Sequence, residues 1–230
     1  MNDFFTNSMF FGVIISLAAY ELGLLLKKKF RLALFNPLLI AVICVIGANA
    51  LLHVDYESYN SSAKYLTYLL TPATVCLAVP LYEQLNLLKK NWKAVLCGIV
   101  SGVLASMIGV LACAKIFGLN HEQYVTLLPK SITTAIGMGV SEELGGITTI
   151  TVATIIITGI LGNVIADIVF KVFKINEPIA RGLALGNASH AIGTAKAMEL
   201  GEVEGAMSSL AIAVAGLLTV ICASAFAQLN

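Results

Sequence analysis

Residues 180–209 read ARGLALGNASHAIGTAKAMELGEVEGAMSS, a run too polar to cross lipid comfortably yet set between long apolar segments. Glycines at 182, 186, 193 and 201, with the small hydroxylated residues Ser189 and Thr194, permit an interrupted helix that leaves backbone groups free. At membrane depth such groups must be buried in protein or line a watery cavity, because lipid offers no partner for a bare N–H or C=O. Arg181, His190 and Lys196 lie in or beside this run, and ionisable side chains inside a membrane domain are costly enough to mark a functional place. The segment is therefore expected to border a ligand path.

The flanking chain supports a membrane reading. It is 58% hydrophobic and 12% charged, which excludes an ordinary soluble domain and points to an all-α polytopic membrane protein. About six to eight transmembrane helices fit at about 20 apolar residues per crossing. A formal net charge of +1 gives no electrostatic footprint for nucleic acid. Zinc and phosphate-loop spacings are missing from the sequence, so neither metal nor cofactor is expected. The cysteines at 44, 76, 97, 113 and 222 stand singly in apolar runs and read as small packing residues. Asp3 occupies the place where a cleaved signal would be basic, so the first apolar segment is expected to stay in the mature protein.

In chain order, Phe4 to Leu26 is long enough to span, and Lys27, Lys28, Lys29 and Arg31 behind it form a positive-inside cluster, placing that loop in the cytoplasm and the N-terminus outside. Asn36-Pro37 opens a second, short span that ends near His53. The polar stretch HVDYESYNSSAK is expected to be an external loop. Tyr65 to Leu88 contains Thr71-Pro72 and Pro80 and should be broken, since proline removes a helical hydrogen bond and disfavours helix in the residue before it. Thr71, Thr74 and Glu83 are secondary site candidates there, with a merely kinked span as the plainer reading. Ala94 to Phe117 is a clean span whose Gly98, Gly102, Ala105 or Ser106, and Gly109 are expected to pack another helix closely.

Val125 to Gly146 is weakly apolar. Lys130, Ser131, Thr133 and Thr134 cluster just after Pro129, where the free N–H groups of a starting helix would receive an anion; an ordinary helix cap competes with that reading. Ile147 to Phe170 is a strong span in which Gly159, Asn163 and Asp167 recur every four residues and share one inward face. Lys171, Lys174 and Arg181 then suggest a cytoplasmic loop, and Ala206 to Ala227 is the last span.

Shifting the first half onto the second sets LLTPATVCLAVPLYEQL against ALGNASHAIGTAKAMEL, each followed by a span. Identities are few, but paired interrupted segments in matching positions point to a transporter site. Residues 1–230 are thus read as a single integral membrane domain built of repeats 1–115 and 116–230, with re-entrant segments favoured over full crossings.

The stretches LTPATVCLAVPLYEQL, LPKSITTAIGM, LGGI and the 180–211 block together resemble the LrgB/CidB family of bacterial membrane proteins, over essentially the whole chain. The resemblance implies a multi-pass protein of the bacterial inner (plasma) membrane acting with a smaller LrgA/CidA-type membrane protein. It also implies either an antiholin-like role in murein hydrolase export and autolysis or, as in a plastid relative that exchanges glycolate and glycerate, movement of small carboxylates. Two positions depart from the family pattern: Ala135 follows Thr134 where proline is common, and Asn187 stands where threonine or alanine is common.

The expectation is a secondary transporter of a small organic anion such as glycolate, glycerate or pyruvate, working as a homo-oligomer. Ser131, Thr133, Thr134, Asn187, Ser189 and Thr194 would donate hydrogen bonds, Lys130, His190 or Arg181 would supply positive potential, and His190 would couple protons. Asn163, Asp167 and Lys196 complete the secondary candidates. The alternative is a holin-like regulator, which needs small-residue interfaces but no polar breaks at membrane depth. An enzyme is not expected, because Ser189 and His190 are helix neighbours pointing about 100° apart and make a poor dyad.

Overall fold

The computed structural model describes residues 8, 10–30 and 35–230, with the side chains of residues 70, 71 and 74 outside the described part. Asp3, Arg31 and the side chains of Thr71 and Thr74, singled out above, therefore lie outside the described residues. The chain is all-α, without a strand among the described residues, and it divides into two compact units, 1–76 and 77–230.

The first unit carries α1 (Phe11–Phe30), α2 (Pro37–Leu52), α3 (Tyr56–Thr67) and α4 (Leu70–Cys76). Helix α2 starts where Asn36-Pro37 predicts. Asn36 Oδ1 accepts from the Leu38 N–H at 2.9 Å, and proline sits in the first turn, where its missing N–H costs nothing. It stops at His53, which adopts the left-handed conformation (φ 51).

The stretch after His53, expected to be an external loop, is instead the helix α3. Asp55 caps it by accepting from the Ser58 N–H at 3.2 Å, and its polar residues are partly interhelical: Ser62 Oγ accepts from Gly12 N–H at 2.8 Å, and Tyr59 OH lies 2.8 Å from Ser16 Oγ. Only glycine fits at position 12, since a Cβ would fall 2.6 Å from Ser62 Oγ and from Ala63 N. The Asp55 carboxyl is held below its ordinary range by its hydrogen bonds from the Ser58 side chain and backbone.

The second unit holds α5 (Ala78–Glu83), α6 (Leu85–Phe117), α7 (His121–Leu127), α8 (Thr134–Glu143), α9 (Thr148–Val172), α10 (Pro178–Leu200) and α11 (Glu202–Ala227). The proline-bearing run is broken as expected, with interruptions at Leu77 and Gln84. Helix α6 begins well before the expected Ala94 and kinks at Asn91 (φ −112, ψ 15), whose side chain donates to Leu87 O. Among the described residues α6, α9 and α11 are the three helices long and apolar enough to cross a membrane.

The inner faces of α6 and α11 share one core, in which Ile99, Val103 and Met107 of α6 pack with Met207, Ala211 and Ala215 of α11 and with Tyr124 of α7, while α9 packs Ala166 and Phe170 with Leu185 and Ala197 of α10. Their outer faces leave Ile108, Ile157, Ile168, Leu217 and Ile221 exposed. An all-round apolar helix of this kind is one made for a bilayer.

Contacts fix the helix directions. Gly98 meets the Leu183 side chain and Gly102 meets Asn187, so α6 and the first half of α10 run parallel. Gly182 packs on Glu204 and Met207, and Gly186 on Ser208 and Ala211, so α11 runs parallel to them too. Helix α9 runs the other way, starting beside the end of α7, where Ile147 N–H donates to Thr126 Oγ1 at 2.8 Å.

Candidate functional site

Two segments enter this bundle and turn back. The first is 128–146. Ile147 and Thr151 at the start of α9 reach back to Thr126 (2.8 and 2.9 Å), and Ser141 lies 2.7 Å from Thr151 Oγ1. The segment therefore returns to the level it left. Helix α8, at 10 residues, is only about 15 Å long and cannot cross. Its turn penetrates as far as Ser106, where Ser106 Oγ donates to Ser131 Oγ at 3.0 Å. Ser106 is about 16 Å along the axis from Phe117 at 1.5 Å per residue, near the middle of α6.

The second segment is α10 itself. His190 has φ 41 and ψ −133, and the chain reverses there: a Cβ on Gly193 would meet Leu185 O and stand 2.6 Å from Ser189 Cβ. Ser208 of α11 touches both Gly186 and Thr194, the latter at 2.7 Å between hydroxyls, which a continuous helix forbids because those positions would be about 12 Å apart along its axis. Beyond the break the chain runs parallel to α9, with Asn163 Nδ2 donating to Ile192 O at 3.1 Å and Lys196 Nζ donating to Asp167 Oδ2 at 2.8 Å. The shared face expected for Gly159, Asn163 and Asp167 is thus the face that receives the returning arm.

The two hairpins enter from opposite ends of the bundle and their tips come to adjacent turns of α6, one at Gly102 and the other at Ser106. Beside them opens a cavity of about 1060 Å³, lined at this level by Gly102, Ser106, Lys130, Ser131, Gly162 and Asn187. Lys130 Nζ donates to Ser131 Oγ at 2.9 Å and lies 3.4 Å from Ser106 Oγ. Among the described residues it makes no ion pair, unlike Lys196, the cation of the ion pair given above. A partly buried ammonium whose partners among the described residues are hydroxyls is poorly compensated, which makes this part of the cavity chemically suited to an anion.

Of the residues expected to bind substrate, Lys130, Ser131 and Asn187 line the cavity. Thr133 is the N-cap of α8 without a side-chain cap bond, and Thr134 begins that helix. Ser189, His190 and Thr194 are buried at the hairpin tip behind the cavity wall. His190 Nε2 lies 2.9 Å from Ile155 O, which puts the proton on Nε2, since a carbonyl only accepts. Thr194 Oγ1 bonds His190 O at 3.1 Å and Ser208 Oγ.

Arg181 Nε donates to Ile175 O at 2.7 Å and its guanidinium lies over the Phe170 ring, so it closes the α9–α10 turn. Glu83 is exposed at the end of α5. Ser106 and Gly162, read as packing residues or passed over, are cavity residues, and the signal for Ser106 was a hydroxyl inside an otherwise apolar span.

A helical membrane bundle with a re-entrant hairpin from each side is the class of protein these elements define. The family comparison agrees, since the LrgB-like family model matches residues 16–229. The chain belongs to the LrgB-like family. It is similar to proteins named antiholin-like protein LrgB from Bacillus cereus (strain B4264) and Bacillus anthracis (strain A0248), at 40% identity over 94% of each chain. No solved structure matches.

Proposed function

We propose that this chain acts as an antiholin-like membrane protein that restrains murein hydrolase export together with a smaller LrgA/CidA-type membrane protein. The reading is carried by near full-length similarity to relatives bearing that name, which favours it over the carboxylate transporter expected from the sequence. The test is expression of the chain, with and without the smaller protein, in a bacterial strain lacking both. Delayed lysis and lower extracellular hydrolase activity with the pair are expected. Lysis kinetics identical to the empty vector in every combination would overturn the reading.

A second reading is favoured by one specific observation: the uncompensated Lys130 ammonium at the meeting point of two hairpins. On it, the chain moves a small organic anion, of the size of glycolate, glycerate or pyruvate, across the bacterial inner membrane. Paired broken helices with a site between them at the bilayer midplane are a recurrent transporter design. Uptake of the three labelled anions by proteoliposomes, with Lys130→Gln as the control, tests it. No saturable flux of any of them would remove it.

A further inference from the structure

We propose that an anionic phospholipid lies in the open trough between α6 and α9, its phosphate held by lysines at the mouth and its acyl chain laid along the first arm of α10.

The trough follows from the packing. Gly98 and Gly102 set α6 against Leu183 and Asn187 on one side of the first arm, and Gly162 and Ala166 set α9 against Ser189 and Leu185 on the other. Gly182 and Gly186 turn the back of the arm to α11. What remains is a floor of Ala180, Ala184 and Ala188, exposed at every fourth position. Alanine reaches no further than its methyl, so the walls stand clear of it. The α9 wall presents Leu161 and Ile165, 55% and 46% exposed, and the trough is thus apolar and open sideways to the bilayer.

Its length selects the occupant. The cavity begins beside Asn91 and ends at Ser106, Lys130 and Ser131, about 22 Å along α6. One leaflet with its headgroups is about 20–22 Å deep, half of a whole bilayer. The 128–133 turn closes the deep end, where Ser131 meets Ser106. A partner's transmembrane helix crosses both leaflets and would run into that turn, whereas a lipid spans one leaflet and stops there.

Charge selects the headgroup. Lys89, Lys90 and Lys93 flank Asn91 on one wall, and Lys171 and Lys174 end the other. The two groups share a level, since Arg181 lies over Phe170 while Leu183, two residues on, meets Gly98. Among the described residues none of the five lysines forms an ion pair. Glu177 also borders the mouth, one carboxylate against five ammonium groups, and Arg181 is engaged by Ile175 O. Trp92, 54% exposed with the Lys93 ammonium 5.8 Å from its ring centre, is of the kind that sits at headgroup level. A phosphodiester without a cationic headgroup answers both rims, and basic pockets between transmembrane helices hold such lipids. Seated there, the chain covers Ala184 and Ala188 and seals that side of the cavity from the bilayer.

The test reads lipid contact at a single tryptophan. Trp92 is the chain's one tryptophan, so Trp92→Phe combined with Ser101→Trp puts the reporter on the trough wall, and Trp92→Phe with Leu217→Trp puts it on the outer face of α11. Each full-length variant is reconstituted in phosphatidylcholine vesicles containing a minor fraction of chain-brominated phosphatidylglycerol or, separately, of chain-brominated phosphatidylcholine. At position 101 the glycerol lipid should quench at about fivefold lower mole fraction for each lysine engaged, and at 217 the two lipids should quench alike. Adding Lys90→Gln and Lys171→Gln should abolish the preference at 101. Equal quenching at 101 would overturn the proposal, as would an equal preference at 217, which marks surface enrichment alone. The wild type gives a reading that stands even if Ser101→Trp disturbs the fold. Released from nanodiscs of both lipids into native mass spectrometry, it should retain phosphatidylglycerol and the double glutamine variant should not; retention of neither lipid, or of both equally, would refute the site.

Discussion

Gly193→Ala distinguishes a reversed α10 from a continuous one by the sign of its effect. In an uninterrupted helix the change adds helix propensity and stabilises by about 0.5–1 kcal/mol. In the hairpin the new methyl falls against Leu185 O and 2.6 Å from Ser189 Cβ, both on the opposing arm. Forcing a methyl into such a contact costs about 1–3 kcal/mol, so the net effect is a loss of up to about 2.5 kcal/mol once propensity is deducted. For a chain of this size that is a drop of up to about 10 °C in Tm.

Gly109→Ala is the matched control, because a Cβ there has nothing within 4 Å and should be neutral or slightly stabilising. Both variants are heated in detergent and the fraction remaining monodisperse is followed by size exclusion. Should Gly193→Ala match or exceed the wild type as Gly109→Ala does, the arms do not touch and the reversal at His190 is wrong.

Thr151→Val removes the hydroxyl that ties the first hairpin to Thr126 O and Ser141 Oγ. It should cost about 1–3 kcal/mol by leaving buried partners unsatisfied, whereas Thr154→Val, which loses only a bond to its own helix at Thr151 O, should be near neutral in the same heating assay. Asp55 caps α3 with a carboxyl held below its ordinary range, so its contribution is present above the unfolded carboxyl pKa of about 4 and is lost as the pH falls through the lower folded value. Asp55→Asn, which caps without titrating, should therefore flatten the acid-side loss of helical circular dichroism, and an unchanged profile would remove Asp55 as its source. Lys89, Lys90 and Lys93 share an end of the second unit with Lys171 and Lys174, while Glu142 and Glu143 lie at the other. The positive-inside rule predicts that an impermeant maleimide labels Glu143→Cys, but not Lys93→Cys, in intact cells of a cysteine-free background; the reverse pattern would invert the orientation.

Signals that act within one element were legible in the sequence. Asn36-Pro37 announced the start of α2 because cap and proline serve that helix's own first turn, and the four-residue spacing of Gly159, Asn163 and Asp167 announced a shared contact face, though one left exposed at Asp167, because the helical period alone sets it. The interruption of 180–200 was visible in its small and polar residues. Re-entry was the favoured reading, but the residue at which the chain reverses was not legible, since the one in the left-handed region is His190 rather than any of the glycines around it, and a bulky side chain gives no notice of a positive φ. Those glycines serve packing instead, Gly182 and Gly186 against α11 and Gly193 against the opposing arm. Helix α3 was missed because a run of serine, asparagine and tyrosine reads as solvated, whereas here Tyr59 and Ser62 turn their hydroxyls onto α1.

The cavity chemistry divides along the same line. Lys130 and Ser131 were found because they follow Pro129, where a helix must restart. Ser106 was read as a packing residue because nothing in an apolar span tells which element will reach it. What brings Ser131 to Ser106 is the depth of the 128–133 turn, and that depth is set by α7 and α8, of 7 and 10 residues. At about 10 and 15 Å they are too short to cross a hydrocarbon core of about 30 Å. A chain that enters on such helices has to turn near the middle of α6 and go back, so the proline and glycines that shorten α7 and α8 are also what carry a lysine to that depth.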